Sequence, residues 1–523
     1  MNTFSKINRL PPEILAMIPS FLDSYKDLIN TTHVCRYWRN TLIASPPLWS
    51  RLDNNMMHED LVSTFMNRCG DTPLEVTFST LLGSKNTPFL EEAIRRSSQI
   101  HKVRFPSLPW WHIAAFSDAF DAPLPLLRQL DVHAGYDGVD VPPFQRPFLV
   151  GATNLVSLTL RDRNKVSGTL LPFVFPTITY LELQFDRPRV ALVSELLDLF
   201  RNSPLIEELH IKADVVLDAP DEHSAFPSRF KQVDLLHLRD IRLDWNTPRP
   251  QYTLLSHINY PPTCFVSMRV LSNCNVNKPP QNVFPTSWDA FFLADLFSIT
   301  LRIKREQQST ECAVMVEKLN GASISVSHFQ DTGGYVFVDD DGTLSRNPAR
   351  DRDDDHVISL AITFVMGLPL HLIREFVLED LAGNEMANPE SFKIPPALVE
   401  LICSRLPNLT SLTLNRSSLS ELYNILTPST PPSIDTFGDS DASKWALPCP
   451  TLKVLKVRHP IWDPVRHCRE TTALVKARKT EGIPLDRLFF CSPDVPPEMS
   501  QGMSLYVGSV DIQRCGECEG EAC

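Results

Sequence analysis

Nine times along this chain the pattern apolar-x-x-apolar-x-apolar returns, and it constrains the fold more than any other feature. It reads IHKVRF at Ile100, LRQLDV at Leu127, LVSLTL at Leu155, ITYLEL at Ile178, IEELHI at Ile206 and VDLLHL at Val233. It comes back as IREFVL at Ile373, LTSLTL at Leu409 and LKVLKV at Leu452. Among the first six blocks the start-to-start spacings are 27, 28, 23, 28 and 27 residues. Alternation within a block puts its last two apolar residues on one face of a strand and the residue between them on the other. No single unit can cover its own apolar face, so neighbouring units must stack and share a continuous core. The spacing therefore predicts a parallel sheet with one strand and one return segment per repeat.

Proline placement agrees with this reading. The 523 residues include 44 prolines, about 8% against an ordinary 5%. Many fall in joins between blocks, such as Pro106, Pro109, Pro123, Pro125, Pro142, Pro143, Pro261, Pro262, Pro395 and Pro396. Proline cannot donate to a central ladder, so stacked strands require it elsewhere. The units resemble leucine-rich repeats, which implies an irregular solenoid of that kind. One departure is plain: where that family's Asn or Cys is expected, three residues past the last apolar position, stand Arg163, Asp186 and Asp214. The pattern fades between 240 and 370. FVSMRV at Phe265 and LFSITL near Leu296 match weakly, and SISVSHF at Ser323 and YVFVDD at Tyr335 alternate like strands. A degenerate continuation of the array is expected there, with a compact α/β domain as the alternative.

Leu158, Leu181, Leu209 and Leu236 are the expected core of this sheet. The residues between the paired apolar positions face the other way. They are Arg104, Asp131, Thr159, Glu182, His210, His237, Val377, Thr413 and Lys456. This row mixes both charge signs with polar and apolar groups, so it suits a protein or peptide surface better than a polyanion. Its members are the candidate substrate-binding residues.

The first fifty residues follow a different rule. Pro11 and Pro12 open a helix where a missing N–H costs nothing, and Glu13 lies in the first turn, where the dipole favours an acid. Ile14, Leu15, Ile18, Phe21 and Leu22 recur at helical spacing, and Pro19 predicts an end or kink at Ile18. After a polar turn at 23–26, Leu28, Val34, Trp38 and Leu42 form a second stripe. A module this short buries too little apolar area to stand alone, which points to a docking element.

Four blocks in this module carry a resemblance: LPPEIL at Leu10, Asp27-Leu28, VCRYWR at Val34 and Leu48-Trp49. Their order and spacing resemble an F-box, in the style of the expanded families of mushroom-forming fungi. The resemblance implies docking onto the Skp-family adaptor of a Skp–cullin–F-box ubiquitin ligase, while the remaining chain selects an unknown protein substrate. It implies Leu10, Pro11, Ile14, Leu15, Ile18, Leu28, Val34 and Trp38 as adaptor-binding residues.

Composition excludes other classes. Hydrophobic residues make up 43% and charged residues 21%, as in a globular protein. Net charge is −12 without a basic run, which argues against nucleic acid. No window is apolar enough to span a membrane, and the start of the chain lacks a signal-peptide core, so a cytoplasmic or nuclear location is expected. Twelve scattered cysteines do not form a disulfide framework. Cys515, Cys518 and Cys523 fall short of four zinc ligands. Seven aspartates between Val338 and His356 lack the EF-hand pattern, since counting from Asp339 as first Gly342 comes fourth and Arg350 stands twelfth. Ser327, His328 and Asp331 are sequence neighbours rather than a triad. Trp110, Trp111 and His112 lack a basic groove and read as packing. No catalytic site, metal site or cofactor is expected.

The expected architecture is α/β: a three-helix F-box at 1–53, then a leucine-rich-repeat-like solenoid with a parallel sheet at 54–490. An acidic loop at 339–355 and a tail at 491–523 complete it. The expected function is that of a substrate receptor. A repeat scaffold that binds the adaptor without a ligase role is the alternative, and a hydrolase within 265–355 is a remote third.

Overall fold

The computed structural model describes residues 10–22, 24–54, 59–79, 87–108, 124–134, 152–162, 175–216, 231–245, 248–272, 296–305, 309–318, 323–331, 337–338, 344–345, 365–366, 368, 370–380, 405–415, 449–458, 464–491 and 497–513. They fall into two units, Met1–Ile241 with Thr253–Pro261 and Arg242–Tyr252 with Pro262–Cys523.

The first unit opens with three helices, α1 (Pro12–Ser20), α2 (Tyr25–Thr32) and α3 (Arg36–Ile43). The strand β1 (Arg51–Asp53), helix α4 (Glu59–Cys69), strand β2 (Leu74–Thr77), helix α5 (Thr87–Arg95) and strand β3 (Ile100–Leu108) follow. Then come β4 (Gln129–Ala134), β5 (Ser157–Asp162), β6 (Tyr180–Leu192), helix α6 (Val193–Arg201) and β7 (Glu208–Val216). From β1 to β7 every neighbouring pair is parallel and in chain order. Leu130, Leu158, Leu181 and Leu209 are register partners rung after rung, and all four are buried. Burying one such side chain stabilises by about 1.5–3 kcal/mol, while ordering each residue costs about 1–2 kcal/mol. One rung therefore cannot stand without its neighbours.

The strands β4 to β7, and those that follow Leu409 and Leu452, are each preceded by a turn that the six-residue pattern does not contain. The N–H of Leu127 donates to the Leu124 carbonyl (3.1 Å), Ile178 to Phe175 (3.3 Å), Leu409 to Leu406 (3.2 Å) and Leu452 to Cys449 (3.1 Å). Pro125, Pro176, Pro407 and Pro450 occupy the second turn position, where their fixed φ is pre-set. The third turn position carries a polar ladder. Asn154 Nδ2 donates to the Pro125 carbonyl (2.7 Å), and Thr177 Oγ1 to Thr153 (2.9 Å). Asn408 Nδ2 donates to His371 (2.6 Å), and Thr451 Oγ1 to Pro407 (2.9 Å). A side-chain ladder thus precedes the strands instead of following them.

The register at Val233 differs from expectation. The short pair β8 (Val233–Asp234) and β10 (Ile258–Asn259) is parallel and separate, and the repeat strand is β9 (Asp240–Trp245). The repeat is therefore Leu238-x-x-Ile241-x-Leu243, all three buried. Leu236 is 62% exposed in the preceding turn, so it is not core, and His237 lies in that turn rather than on the sheet. Helix α7 (Pro248–Ser256) follows.

In the second unit, β11 (Phe265–Ser272) pairs parallel with β14 (Ser323–Asp331). The strands β12 (Leu296–Arg305) and β13 (Ser309–Lys318) join it through antiparallel pairings, β14–β13 and β13–β12. That stretch alternates with period two over ten residues and hairpins back, so it is not a degenerate continuation of the repeat. β15 (Phe337–Val338) and β16 (Leu344–Ser345) form a two-residue antiparallel ladder at the edge of the acidic segment. The remainder of that segment lies outside the described residues, as do Trp110, Trp111, His112 and the cysteines at 515, 518 and 523.

Parallel order resumes with β12 beside β17 (Glu375–Asp380), then β18 (Ser411–Asn415), β19 (Val454–Arg458), β20 (Arg487–Cys491) and β21 (Ser509–Gln513). Helix α8 (Pro464–Thr480) precedes β20 and α9 (Pro497–Ser504) precedes β21. The sheet thus extends past the boundary drawn at 490. At Gly508 a Cβ would lie 2.7 Å from the Asp486 carbonyl oxygen, so this last rung closes only on glycine.

Candidate functional site

Two surfaces compete for functional meaning: the helical module at the start and the outward face of each sheet.

In the module, Pro11 caps α1 and its carbonyl accepts the Leu15 N–H at 3.0 Å. Pro19 does not end the helix. It sits one residue before the last, so only one backbone bond is forfeited and α1 runs to Ser20. Ser24 caps α2 by accepting the Lys26 N–H at 3.1 Å. The interior is built by Leu15, Trp38 and Leu42, with Cys35 and Leu48 against them, and Leu28 is also buried. Trp49 has no exposed surface; its Nε1–H donates to the Leu42 carbonyl at 2.9 Å. Its ring meets Phe65 edge-on at 4.9 Å, and the Arg68 guanidinium lies 4.3 Å over it. One indole thereby fixes the three helices to α4.

What remains outside is apolar. Ile14, Met17 and Ile18 on α1 and Phe21 at its C-cap are exposed at i, i+3, i+4 and i+7, with Phe21 at 77%. Val34 (60%) and Tyr37 are exposed as well, and the Tyr37 hydroxyl donates to the Leu10 carbonyl at 3.0 Å. Leu10 is half-buried and Pro11 exposed. Of the eight residues expected to touch an adaptor, Leu15, Leu28 and Trp38 are therefore interior and hold the helices together. Met17 and Phe21 lie on the open stripe; Phe21 belonged to the helical stripe in the sequence, but its direction was hidden by the assumed break at Pro19.

The outward face of the first unit carries rows set by register. Arg104, Asp131, Thr159, Glu182 and His210 are successive register partners, which makes them a single row. Lys102, Gln129, Ser157, Tyr180 and Glu208 form the row beside it. Glu182 and Glu75 on this face are ion-paired, and His133 lies against Asp131. Arg161 Nη2 lies 2.9 Å from Glu182 Oε1, His133 Nε2 2.9 Å from Asp131 Oδ1, and Arg51 Nε 3.7 Å from Glu75 Oε2. The Tyr180 hydroxyl donates to Glu182 Oε2 at 2.8 Å and faces His210 Nδ1 at 3.5 Å; His210 Nε2 stands 3.9 Å from Asp240. Burial first, and then the bond to Glu182, raise the Tyr180 phenol well above its ordinary range. Burial, followed by the neighbouring Arg104, lowers the Lys102 ammonium.

The second unit continues the same geometry with Thr300, Val377, Thr413, Lys456, Phe489 and Asp511 in one row. Thr413 is buried, while Val377, Lys456 and Phe489 are half-buried. His237 belongs to neither row.

Among the described residues no group of three or more His, Cys, Asp or Glu is placed to hold a metal ion, and no helix is long and apolar enough to cross a membrane. Among curated proteins none matches the chain. A family model described as F-box-like matches residues 7–55, the span that holds the three helices, the buried Trp49 and the strand β1.

Proposed function

We propose that the chain is an F-box substrate receptor, linking a target protein to a Skp–cullin–F-box ubiquitin ligase and doing no covalent chemistry of its own. The observation that carries this reading is the exposed apolar stripe Ile14, Met17, Ile18 and Phe21 inside the F-box-like span. A helix that exposes its apolar residues at i, i+3, i+4 and i+7 is stable in water only at a cost that a partner removes. F-box-like modules dock Skp-family adaptors, so that partner is the adaptor, met by Leu10, Pro11, Ile14, Met17, Ile18, Phe21 and Val34. The repeat region is read as an irregular leucine-rich-repeat-like array presenting the target, in the style of the expanded fungal F-box families, in the cytoplasm or nucleus.

The test is a trap. A Leu10→Ala, Pro11→Ala, Ile14→Ala variant keeps its repeat region but cannot deliver a bound partner. The partner should accumulate unubiquitinated on the variant and turn over with the unaltered chain. Equal partner half-lives in both would leave an adaptor-binding scaffold without a ligase role.

A further inference from the structure

Ser20 is the one exposed serine or threonine among the described residues 10–54. It is the last residue of α1 and stands at the edge of the open stripe. Its Oγ–H donates to the Met17 carbonyl at 2.6 Å, and the two residues, three apart, are neighbours on the helix surface. Phe21 follows directly. The Ser20 carbonyl accepts Arg51 Nη1 at 3.1 Å, a cation set against the negative end of the helix. Arg51 in turn faces Glu75, Nε to Oε2 at 3.7 Å. The turn that carries Ser20 is loosely tied. Pro19 has no N–H to give, and the bonds that close the helix, Phe21 N–H to Ile18 at 3.3 Å and Leu22 N–H to Pro19 at 3.0 Å, each span only three residues. A helix end of this kind frays, which lets an enzyme take the hydroxyl on extended backbone. Three residues downstream in the sequence is Asp23, a carboxylate that suits a kinase with a basic substrate groove.

We propose that Ser20 is a phosphorylation site and that phosphate there switches off adaptor docking on α1. The proposal rests on the adaptor-docking reading and adds its regulation. A serine kinase transfers the γ-phosphoryl group of ATP to Ser20 Oγ. The bond formed is Oγ–P, and the bond broken joins that phosphorus to the bridging oxygen, which leaves on ADP. The hydroxyl proton goes to the kinase's base. The phosphate adds about −1.5 to −2 charges. It lies at the negative end of α1, where the helix dipole opposes it. The hydroxyl proton that Met17 accepted is gone, so that bond is lost. The phosphate also competes with the Ser20 carbonyl and Glu75 for Arg51 through charge-assisted bonds, which draws the cation off the helix end. Closing an apolar interface over Met17 and Phe21 then requires stripping water from the phosphate, a cost that falls on the bound state alone.

The test titrates a purified Skp-family adaptor against the full chain, unmodified and with phosphoserine built in at position 20. The phosphoserine chain is expected to bind at least tenfold more weakly at a matching melting temperature, with affinity restored by a phosphatase. Ser20→Ala, and a chain with phosphoserine at position 504, the last residue of α9, are expected to bind like the unmodified chain. Should the phosphoserine chain melt early, Ser20→Glu is compared with its neutral isostere Ser20→Gln and is expected to bind more weakly. In a separate arm, ATP and purified casein kinase II are expected to place phosphate on Ser20 of the full chain, read by mass spectrometry. Equal affinity of the folded phosphoserine and unmodified chains, equal affinity in the Glu and Gln pair, or an unphosphorylated Ser20 in the kinase arm each overturns the proposal. Adaptor that binds both forms alike sinks the switch and leaves the docking reading standing. Adaptor that binds neither form sinks the docking reading, and the switch with it.

Discussion

Leu15 lies inside α1 and Phe21 caps its C-terminus, and the two stand in different surroundings. Leu15 has no exposed surface, while Phe21 is almost wholly in water. Truncating Leu15 to Ala should cost about 2–5 kcal/mol of stability by opening a cavity against Trp38 and Leu42. Phe21→Ser should leave stability within about 0.5 kcal/mol yet weaken adaptor binding by about 2 kcal/mol or more, as a central aromatic anchor does. Thermal melts and adaptor titrations on the two variants separate the roles; a stability loss with Phe21→Ser would show that the stripe is core. Tyr180 offers a second test at this scale. Its phenol is raised in the folded state by burial and by Glu182. The stabilisation is therefore complete below the unfolded value of about 10 and is lost as pH climbs toward the folded value. Between pH 9 and 11.5 the melting temperature of the unaltered chain should fall more steeply than that of Tyr180→Phe. Parallel curves would contradict the assigned environment.

At the scale of elements, strand positions in the blocks at Leu155, Ile178, Ile206, Leu409 and Leu452 were legible because period-two alternation and stacking leave one arrangement. What was not legible follows from the window used. Six residues do not include the turn, so VDLLHL at Val233 satisfied the pattern while the strand began at Asp240. The nine-residue form, with buried residues at Leu235, Leu238, Ile241 and Leu243, removes that ambiguity. Period alone could not tell β12 to β14 from repeats, because pairing direction is set by hairpin connections rather than by alternation. In the F-box-like module, helical spacing found the apolar residues but not which of them face inward, since both faces of α1 are apolar. Two predictions belong here. Arg478 on α8 is buried and its Nη2 donates to the Cys449 carbonyl at 2.9 Å, so Arg478→Met should destabilise by about 1.5–3 kcal/mol, read by denaturant melts. Gly508→Ala forces a Cβ against Asp486, and a cost of about 1–3 kcal/mol is expected. A neutral outcome would mean that β21 does not pair as described.

Across the whole molecule, the span with a family likeness is the helical module at 7–55, which packs on the first unit. Trp49 in the F-box-like module is locked to α4 through Phe65 and Arg68, so the three helices are carried rigidly by the first unit rather than on a loose linker. The receptor role proposed above would need that rigidity, because a receptor contributes proximity and a flexible joint dilutes it. The central claim is that α1 holds a Skp-family adaptor through its open stripe. The measurement that tests it most directly is co-purification of that adaptor with the full chain and with a variant carrying Met17→Ser, Ile18→Ser and Phe21→Ser. The account predicts a stoichiometric complex with the unaltered chain and none with the variant, at matching melting temperatures. Undiminished co-purification with a folded variant would contradict it.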